Sequence, residues 1–182
     1  MVPRTSELPD DVVLDARARA EAVLGVAAAR LVVIDVARQR LVLVEGGRIA
    51  AEYPISTAAA GLGGGDGSFR TPPGVHLIER RIGEGAPLGA VFSSREPTGE
   101  VWGGEPRADD LILTRILTLD GQEAGTNCGP GCDSLSRFIY IHGTNHEGAL
   151  GTQASHGCIR LANRDVADLF DRVAAGDPVV IV

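Results

Sequence analysis

Lysine is missing from this sequence, although 17 of its 182 residues are arginine. Without lysine there is no Schiff-base lysine and no Walker-type phosphate loop, because both need the lysine amine. The arginines are outnumbered by 24 acidic residues, which gives a formal net charge of −7 at pH 7. Since nucleic-acid phosphates bind to basic surfaces, the sequence predicts no nucleic-acid partner.

Aromatic side chains and cysteines are also scarce. Aromatic residues make up only 4% of the chain, so Val, Leu, Ile and Ala must fill most of a core that 182 residues are enough to build. The chain has three cysteines, and two of them, Cys128 and Cys132, lie in a Gly/Pro-rich segment. Without a second pair, a zinc ribbon is excluded. We expect these two thiols to stay reduced and incidental in the cytoplasm, whereas in an oxidising compartment they could pair.

Long hydrophobic runs are absent as well. No segment approaches the ~20 continuous apolar residues of a membrane helix, so no membrane span is expected. The first 11 residues also lack the apolar core of a secretory signal. For a complete chain, this predicts a cytoplasmic protein.

The apolar pattern predicts a mainly β protein with flanking helices. Residues 10–29 carry apolar positions on one helical face: Val13, Ala16, Ala20, Val23, Leu24 and Ala27. Strand patterns follow at residues 31–36, 40–45, 48–56, 74–82, 111–119, 138–141 and 179–182. A second helix is predicted with Asn163 as its cap and Gly176 after its end. We therefore divide the chain into an N-terminal helical arm, residues 1–29, and a main domain, residues 30–182.

The strongest chemical signal surrounds Cys158. It ends the run Ser155-His156-Gly157-Cys158, and His142 precedes it by sixteen positions at the end of the strand predicted over 138–141. The Gly-rich stretch 143–151 can turn the chain so that Cys158 returns beside that strand. A thiol near an imidazole becomes a nucleophile toward acyl carbons. The backbone N–H groups of Gly157 and Cys158 suit the stabilisation of an oxyanion.

The same residues resemble a known family. His142-Gly143-Thr144 followed by Ser155-His156-Gly157-Cys158-Ile159-Arg160 looks like the signature of the YkuD-type L,D-transpeptidases. The resemblance covers residues 30–182 and implies a YkuD-like β-sandwich of mixed sheets. It further implies a lid or cleft insertion within residues 83–137 and a C-terminal helix packed on the sheet. For the site it implies Cys158 as nucleophile, His142 as general base, and the backbone carbonyl of Gly143 as the group that orients the imidazole.

Two further motif residues have open roles. His156 is predicted to share an extended strand with Cys158, so that both side chains point the same way; it would orient the thiolate, bind substrate or serve packing. Arg160 would bind a substrate carboxylate or form a surface salt bridge. A zinc site built from His142, His146, His156 and Cys158 is disfavoured, because the glycine after His142 replaces the Glu of a helical zinc motif. No metal or other cofactor is expected.

The implied function is acyl-enzyme chemistry on the stem peptides of peptidoglycan. Release of the terminal D-alanine would leave a thioester on Cys158. Water as acceptor gives an L,D-carboxypeptidase of murein recycling, which a cytoplasmic location favours. The segments 112–117 and 140–144 also resemble those of signal-less family members that are such carboxypeptidases. An amine acceptor gives a transpeptidase that forms cross-links, and loss of the chemistry would leave a muropeptide-binding domain. The oligomeric state is left open.

Overall fold

The N-terminal helix is shorter than the sequence pattern predicted. In the computed structural model, which describes residues 10–182, helix α1 spans Asp11–Leu24. The side chain of Asp10 accepts a hydrogen bond from the N–H of Val13 at its start. Gly25 ends the helix in the left-handed conformation, with φ of 72°, which glycine adopts without a steric penalty. The predicted continuation to residue 29 is therefore wrong. None of the helices in residues 10–182 has the length and apolar character that a membrane crossing demands.

Ten strands in the described residues form one mixed sheet. Their bounds are β1 (Arg30–Asp35), β2 (Arg40–Glu45), β3 (Arg48–Ser56), β4 (Gly74–Ile82), β5 (Ala90–Ser93), β6 (Glu96–Val101), β7 (Ile112–Gly121), β8 (Tyr140–Gly143), β9 (Ile159–Leu161) and β10 (Pro178–Ile181). Strand β4 pairs with both β10 and β7, so the order β4-β10-β1-β2-β3-β9-β8-β7 closes into a ring. The sheet is mixed because pairs β1–β10 and β8–β9 are parallel, whereas neighbours such as β1 and β2 are antiparallel. The predicted mainly β architecture with two helices is confirmed.

The two helices cover opposite faces of the closed sheet. Helix α2 (Asn163–Arg172) buries Val166, Leu169 and Phe170 in a cluster to which all eight ring strands contribute, so this helix packs on the inner face. Helix α1 packs its buried Val13, Ala16 and Ala20 against the outer face of β1, β2 and β10. The C-terminal helix packed on the sheet is thus confirmed.

Asn163 does not cap α2, contrary to the prediction. The capping position is Ala162, which makes no side-chain bond to the helix. Instead, the carboxylate of Glu147, in the short 3₁₀ helix Glu147–Ala149, accepts the N–H of Asn163 at 2.8 Å. The carboxylate serves the helix N-terminus from a neighbouring loop, where its charge complements the helix dipole. Only the tertiary fold brings it there.

The hairpin of β5 and β6 lies outside the ring, attached to β7 through β5. Its turn residues, Ser94 and Arg95, have φ of 50° and 69°. Every residue of β6 is exposed, and its sequence contains Pro97 and Gly99, so it lacks the alternating apolar pattern of a half-buried strand. For this reason the sequence revealed only the β7 part of the region 83–137.

His76 is a buried histidine at the seam where β4 joins β10. Its Nδ1–H donates to the carbonyl of Gly74 at 3.0 Å, and its Nε2 accepts from the hydroxyl of Ser134 at 2.9 Å. The side chain is fully enclosed, and burial lowers the pKa of His76 from 6.5 to about 4. The imidazole is therefore neutral in the folded protein across the physiological range.

We expect the stability of the protein to fall as the pH drops from 6.5 to 4. In this window the unfolded chain binds a proton at His76 that the folded chain refuses, which costs up to about 3 kcal/mol of unfolding free energy. Urea midpoints at pH 7, 6 and 5 measure the loss, and a His76→Gln variant should show a shallower decline. Equal slopes for the two proteins would contradict the assignment.

Candidate active site

The parallel pairing of β8 with β9 brings the two motifs together. His142 lies opposite Arg160 in the ladder, and Ile141 lies opposite Ile159. Ile141 and Ile159 point into the inner core, so His142, the neighbour of Ile141 in β8, faces outward, because side chains alternate across a strand. Cys158 lies in the bend directly before β9. Cys158 packs there with Tyr140 and Ile116, and Ile116 is the cross-strand partner of His142. The predicted nucleophile and base thus share one small patch of the outer face.

Two backbone groups hold the thiol of Cys158. The N–H of Tyr140 donates to Sγ, and the thiol donates to the carbonyl of Phe138, both at 3.4 Å. Burial among apolar side chains raises the pKa of the Cys158 thiol to about 11, against the opposing effects of the Tyr140 N–H, Arg160 and Arg137. The resting group is therefore a neutral thiol that needs a base at the moment of attack.

His142 is positioned to be that base. It is 2% exposed, and its Nδ1–H donates to the carbonyl of Gly143 at 2.7 Å, which leaves the lone pair of Nε2 free to accept a proton. Burial lowers the pKa of His142, so the imidazole is neutral at rest. Within residues 10–182 no hydrogen bond yet joins His142 to Cys158; such pairs commonly tighten only when substrate binds.

Ser155 and Thr71 fix the loop that carries Cys158. The Ser155 hydroxyl donates to the carbonyl of Cys158 at 2.6 Å and accepts the N–H of Gly157 at 3.3 Å, while Thr71 donates to the carbonyl of Gly157 at 2.9 Å. The sequence analysis gave Ser155 no role. A serine hydroxyl often bonds the backbone two or three residues further along the chain in a turn, and this local pattern was the available signal. Because the Gly157 N–H is already bonded, the oxyanion role of Gly157 and Cys158 stays a prediction.

A second buried hydrogen-bond network, formed by Thr114, Asn163 and Thr144, packs against Gly143. The Thr114 hydroxyl donates to Asn163 Oδ1 at 2.5 Å, and Asn163 Nδ2 donates to the carbonyl of Thr144 at 2.9 Å. A Cβ at Gly143 would lie 2.6 Å from that Asn163 oxygen and 2.7 Å from the carbonyl of Leu113. Only glycine fits here, so the carbonyl that orients His142 is held by close packing. Neither Thr114 nor Asn163 was singled out for this site, because β7 and α2 meet β8 only in the folded chain.

His156 and Arg160 lie elsewhere than the sequence suggested. His156 is in a bend, not on the extended strand predicted for it, and is exposed with its ring 6.1 Å from that of Phe69. Arg160 is 4% exposed and donates to the carbonyl of Ala154. It also pairs with Asp110, so the salt bridge considered for it is present, with a buried guanidinium and an exposed carboxylate. Substrate binding by either residue stays a prediction.

The remaining cysteines and histidines form no metal centre in the described chain. No group of three or more His, Cys, Asp or Glu side chains in residues 10–182 is arranged to hold a metal ion. His142 belongs to strand β8, whereas His146 belongs to the loop after it, so the two do not share a helical face. Cys128 and Cys132 are free, and the Cys132 thiol donates to the carbonyl of Cys128 at 3.4 Å.

The sequence of this chain matches a known family. The YkuD family, described as the L,D-transpeptidase catalytic domain, matches residues 29–181. The chain belongs to this family. It is 34% identical over 151 residues to the putative L,D-transpeptidase YkuD of Bacillus subtilis, a match that covers 73% of this chain and 90% of that protein. Membership of the L,D-transpeptidase catalytic-domain family and the YkuD-type fold are thereby established.

Other relatives are longer than this chain. A 48-residue stretch is 42% identical to the probable L,D-transpeptidase YbiS of Escherichia coli, which covers 26% of this chain but only 16% of that protein. The crystal structure of L,D-transpeptidase 3 from Mycobacterium tuberculosis, in complex with a faropenem-derived adduct, superimposes with a TM-score of 0.52 at 16% identity. That match covers 84% of this chain and 60% of the other, and it supports the fold alone.

Proposed function

We propose that this protein cleaves the bond before the terminal D-alanine of peptidoglycan stem tetrapeptides through a thioester on Cys158. The observation that carries the proposal is the juxtaposition of a neutral thiol and a neutral, oriented imidazole on one face of the β8–β9 pair. Neither group needs a metal or a cofactor for acyl transfer. Membership of the YkuD family supplies the substrate class.

The first half of the reaction forms the thioester. His142 Nε2 takes the thiol proton as Cys158 Sγ attacks the carbonyl carbon at the L-centre of the third, diamino-acid residue. The tetrahedral intermediate then expels the amine of D-alanine, to which the imidazolium returns the proton. One C–S bond has formed, one C–N bond has broken, and His142 is neutral again.

The second half transfers the acyl group to water. His142 takes a proton from the water as the water oxygen bonds to the acyl carbon. The C–S bond then breaks and the imidazolium returns the proton to Sγ, which restores the thiol and releases the tripeptide. We propose water because it is the abundant acceptor for an open thioester, and we propose a cytoplasmic location, where the enzyme would meet precursors and recycled fragments. Water also needs no second binding site beside the thioester. Cell fractionation tests the cytoplasmic location.

Two alternatives remain distinguishable. The names of the relatives support transpeptidation, in which an amine of a second stem attacks the thioester and gives a cross-link between two diamino-acid residues. A muropeptide-binding domain without catalysis is disfavoured, because binding alone has no use for a thiol and an imidazole held as Cys158 and His142 are. Each alternative leaves a different product.

Mass spectrometry of the purified protein with a stem tetrapeptide, with and without an acceptor amine, tests the proposal. We expect free D-alanine and tripeptide as the main products in both cases, and little turnover of a pentapeptide. A cross-linked dimer as the dominant product at modest substrate concentration would show that the protein is a transpeptidase and not a carboxypeptidase. If the tetrapeptide stays unchanged in every reaction, the muropeptide-binding domain without catalysis is the remaining alternative.

Carbapenem-type β-lactams should acylate Cys158. Attack by the thiol opens the strained amide ring and leaves a thioester, and the M. tuberculosis relative was crystallised with an adduct derived from a related drug. Intact-protein mass spectrometry should show a mass increase of one drug molecule. The increase should be missing in Cys158→Ala and present in Cys128→Ser, and an adduct that survives the Cys158 change would place the reactive group elsewhere.

A further inference from the structure

Arg95 is held rigidly at the tip of the β5–β6 hairpin. Its guanidinium carbon lies 4.9 Å from the ring centroid of Phe138 and 5.5 Å from that of Tyr140. Its Nε donates to the Tyr140 hydroxyl at 2.7 Å, and its Nη2 donates to the carbonyl of Leu135 at 3.1 Å. Two rings and two hydrogen bonds thus fix the orientation of this half-buried side chain.

The residues that hold Arg95 by their rings hold the nucleophile by their backbone. The carbonyl of Phe138 accepts the thiol of Cys158, and the N–H of Tyr140 donates to its sulfur. Phe138 has φ of 57° and is 59% exposed, so the residue whose carbonyl accepts the thiol also presents an aromatic side chain to solvent. Arg95 therefore borders the surface over which a substrate must approach Cys158.

The charge of Arg95 is not neutralised within the described residues. No Asp or Glu of residues 10–182 forms an ion pair with it, whereas Arg160 pairs with Asp110 and Arg107 pairs with Glu100 and Asp109. Its Nη1 makes no hydrogen bond in the same part of the chain. Beneath the hairpin, Arg95 also lines an open cavity of about 620 Å³.

That cavity has a mixed but predominantly cationic charge. Its charged lining residues are three arginines and two carboxylates: Arg80, Arg81, Arg95, Glu84 and Glu96. The cavity adjoins the apolar cluster against which Cys158 packs, and Phe92 belongs to both. The chain as a whole carries a formal charge of −7 and repels an acidic peptide. Binding such a substrate requires a local cation whose donors are oriented and available.

We propose that Arg95 binds a carboxylate of the donor peptide and so makes the protein selective for acidic stems. Nε and Nη2 already donate to Tyr140 and Leu135, so Nη1 is the nitrogen whose N–H groups are free to donate to a carboxylate. The fixed orientation of Arg95 lowers the entropy cost of that contact. This inference rests on the proposed function for the identity of the peptide. Arg160 is buried and its charge is already paired with Asp110. The inference therefore assigns recognition of the substrate carboxylate to Arg95.

An Arg95→Gln variant tests the assignment with matched peptides. The substrates are the stem tetrapeptide with free carboxylates and the same peptide amidated at one non-terminal carboxylate at a time. We expect Arg95→Gln to raise KM for the free peptide about 10- to 100-fold with kcat nearly unchanged. Amidation of the recognised carboxylate should cost the wild type the same factor and the variant almost nothing. Arg48→Gln, an equal change of net charge at an exposed position of β3, should behave as the wild type.

Different outcomes separate this inference from the proposed function. If the variant loses the same factor on every peptide, amidated or not, Arg95 only supports the hairpin and the inference falls while the function stands. Binding is measured independently by calorimetry with Cys158→Ala proteins that carry Arg95 or Gln at position 95. If the protein with Gln at position 95 loses binding to the free peptide but not to the amidated one, the carboxylate site stands. If the wild type then shows no turnover of that peptide, the proposed function is overturned while the carboxylate site is kept.

Discussion

Replacing Cys158 by alanine should abolish turnover while the fold stays intact. The thiol is the group that forms the bond to the substrate, and loss of a catalytic nucleophile lowers kcat by on the order of 10⁴-fold or more. The side chain is small and half-buried at the edge of its cluster, so its truncation leaves little cavity. D-Alanine release measures the activity, and circular dichroism with a urea titration measures the fold.

Cys128→Ser is the matched control for this change. Cys128 is also a half-buried free thiol, but it lies in the loop that leads from β7 to β8 and contacts none of the catalytic groups described above. We expect the activity of this variant, and of Cys132→Ser, to stay within about twofold of the wild type, because serine is close to cysteine in shape and both positions lie outside the chemistry. A well-folded Cys158→Ala protein that still turns over would refute the covalent mechanism.

Gly143→Ala should damage both the stability and the activity. The added methyl would lie 2.6 Å from Asn163 Oδ1 and 2.7 Å from the carbonyl of Leu113, and neither can withdraw freely because both belong to packed elements. We expect a loss of about 1–3 kcal/mol in the free energy of unfolding. Movement of β8 would also displace the carbonyl that orients His142, with a loss of about 100-fold in kcat.

Gly148→Ala, in the short 3₁₀ helix that follows β8, provides the comparison. A Cβ at Gly148 would meet nothing within 4 Å, and this glycine does not have a positive φ. We expect its stability to be unchanged or raised by a few tenths of a kcal/mol, since alanine restricts the unfolded chain. If the two variants were equally stable and equally active, the close packing behind Gly143 would have no part in positioning the base.

The chemistry and most of the regular elements could be predicted from local sequence. The continuous apolar run of β1 indicates a strand buried on both faces, and the spacing of α2 indicates a helix with one buried face. Both patterns lie within a few neighbouring residues. His142 and Cys158 could be paired because the strand before His142 and the glycines after it leave a short path back to the same sheet. The family motif reinforced this assignment.

Tertiary structure alone decided what surrounds that pair. Asp110 beside Arg160, Thr114 behind Gly143 and Asn163 bonded to the loop of Thr144 are contacts between distant segments. The placement of Arg95 likewise depends on a hairpin whose polar, exposed second strand carries no apolar pattern. Local sequence determines which face of an element is buried and which residue can react. Only closure of the β ring determines which charges and carbonyls meet that residue, because those partners come from segments that share no sequence neighbourhood with it.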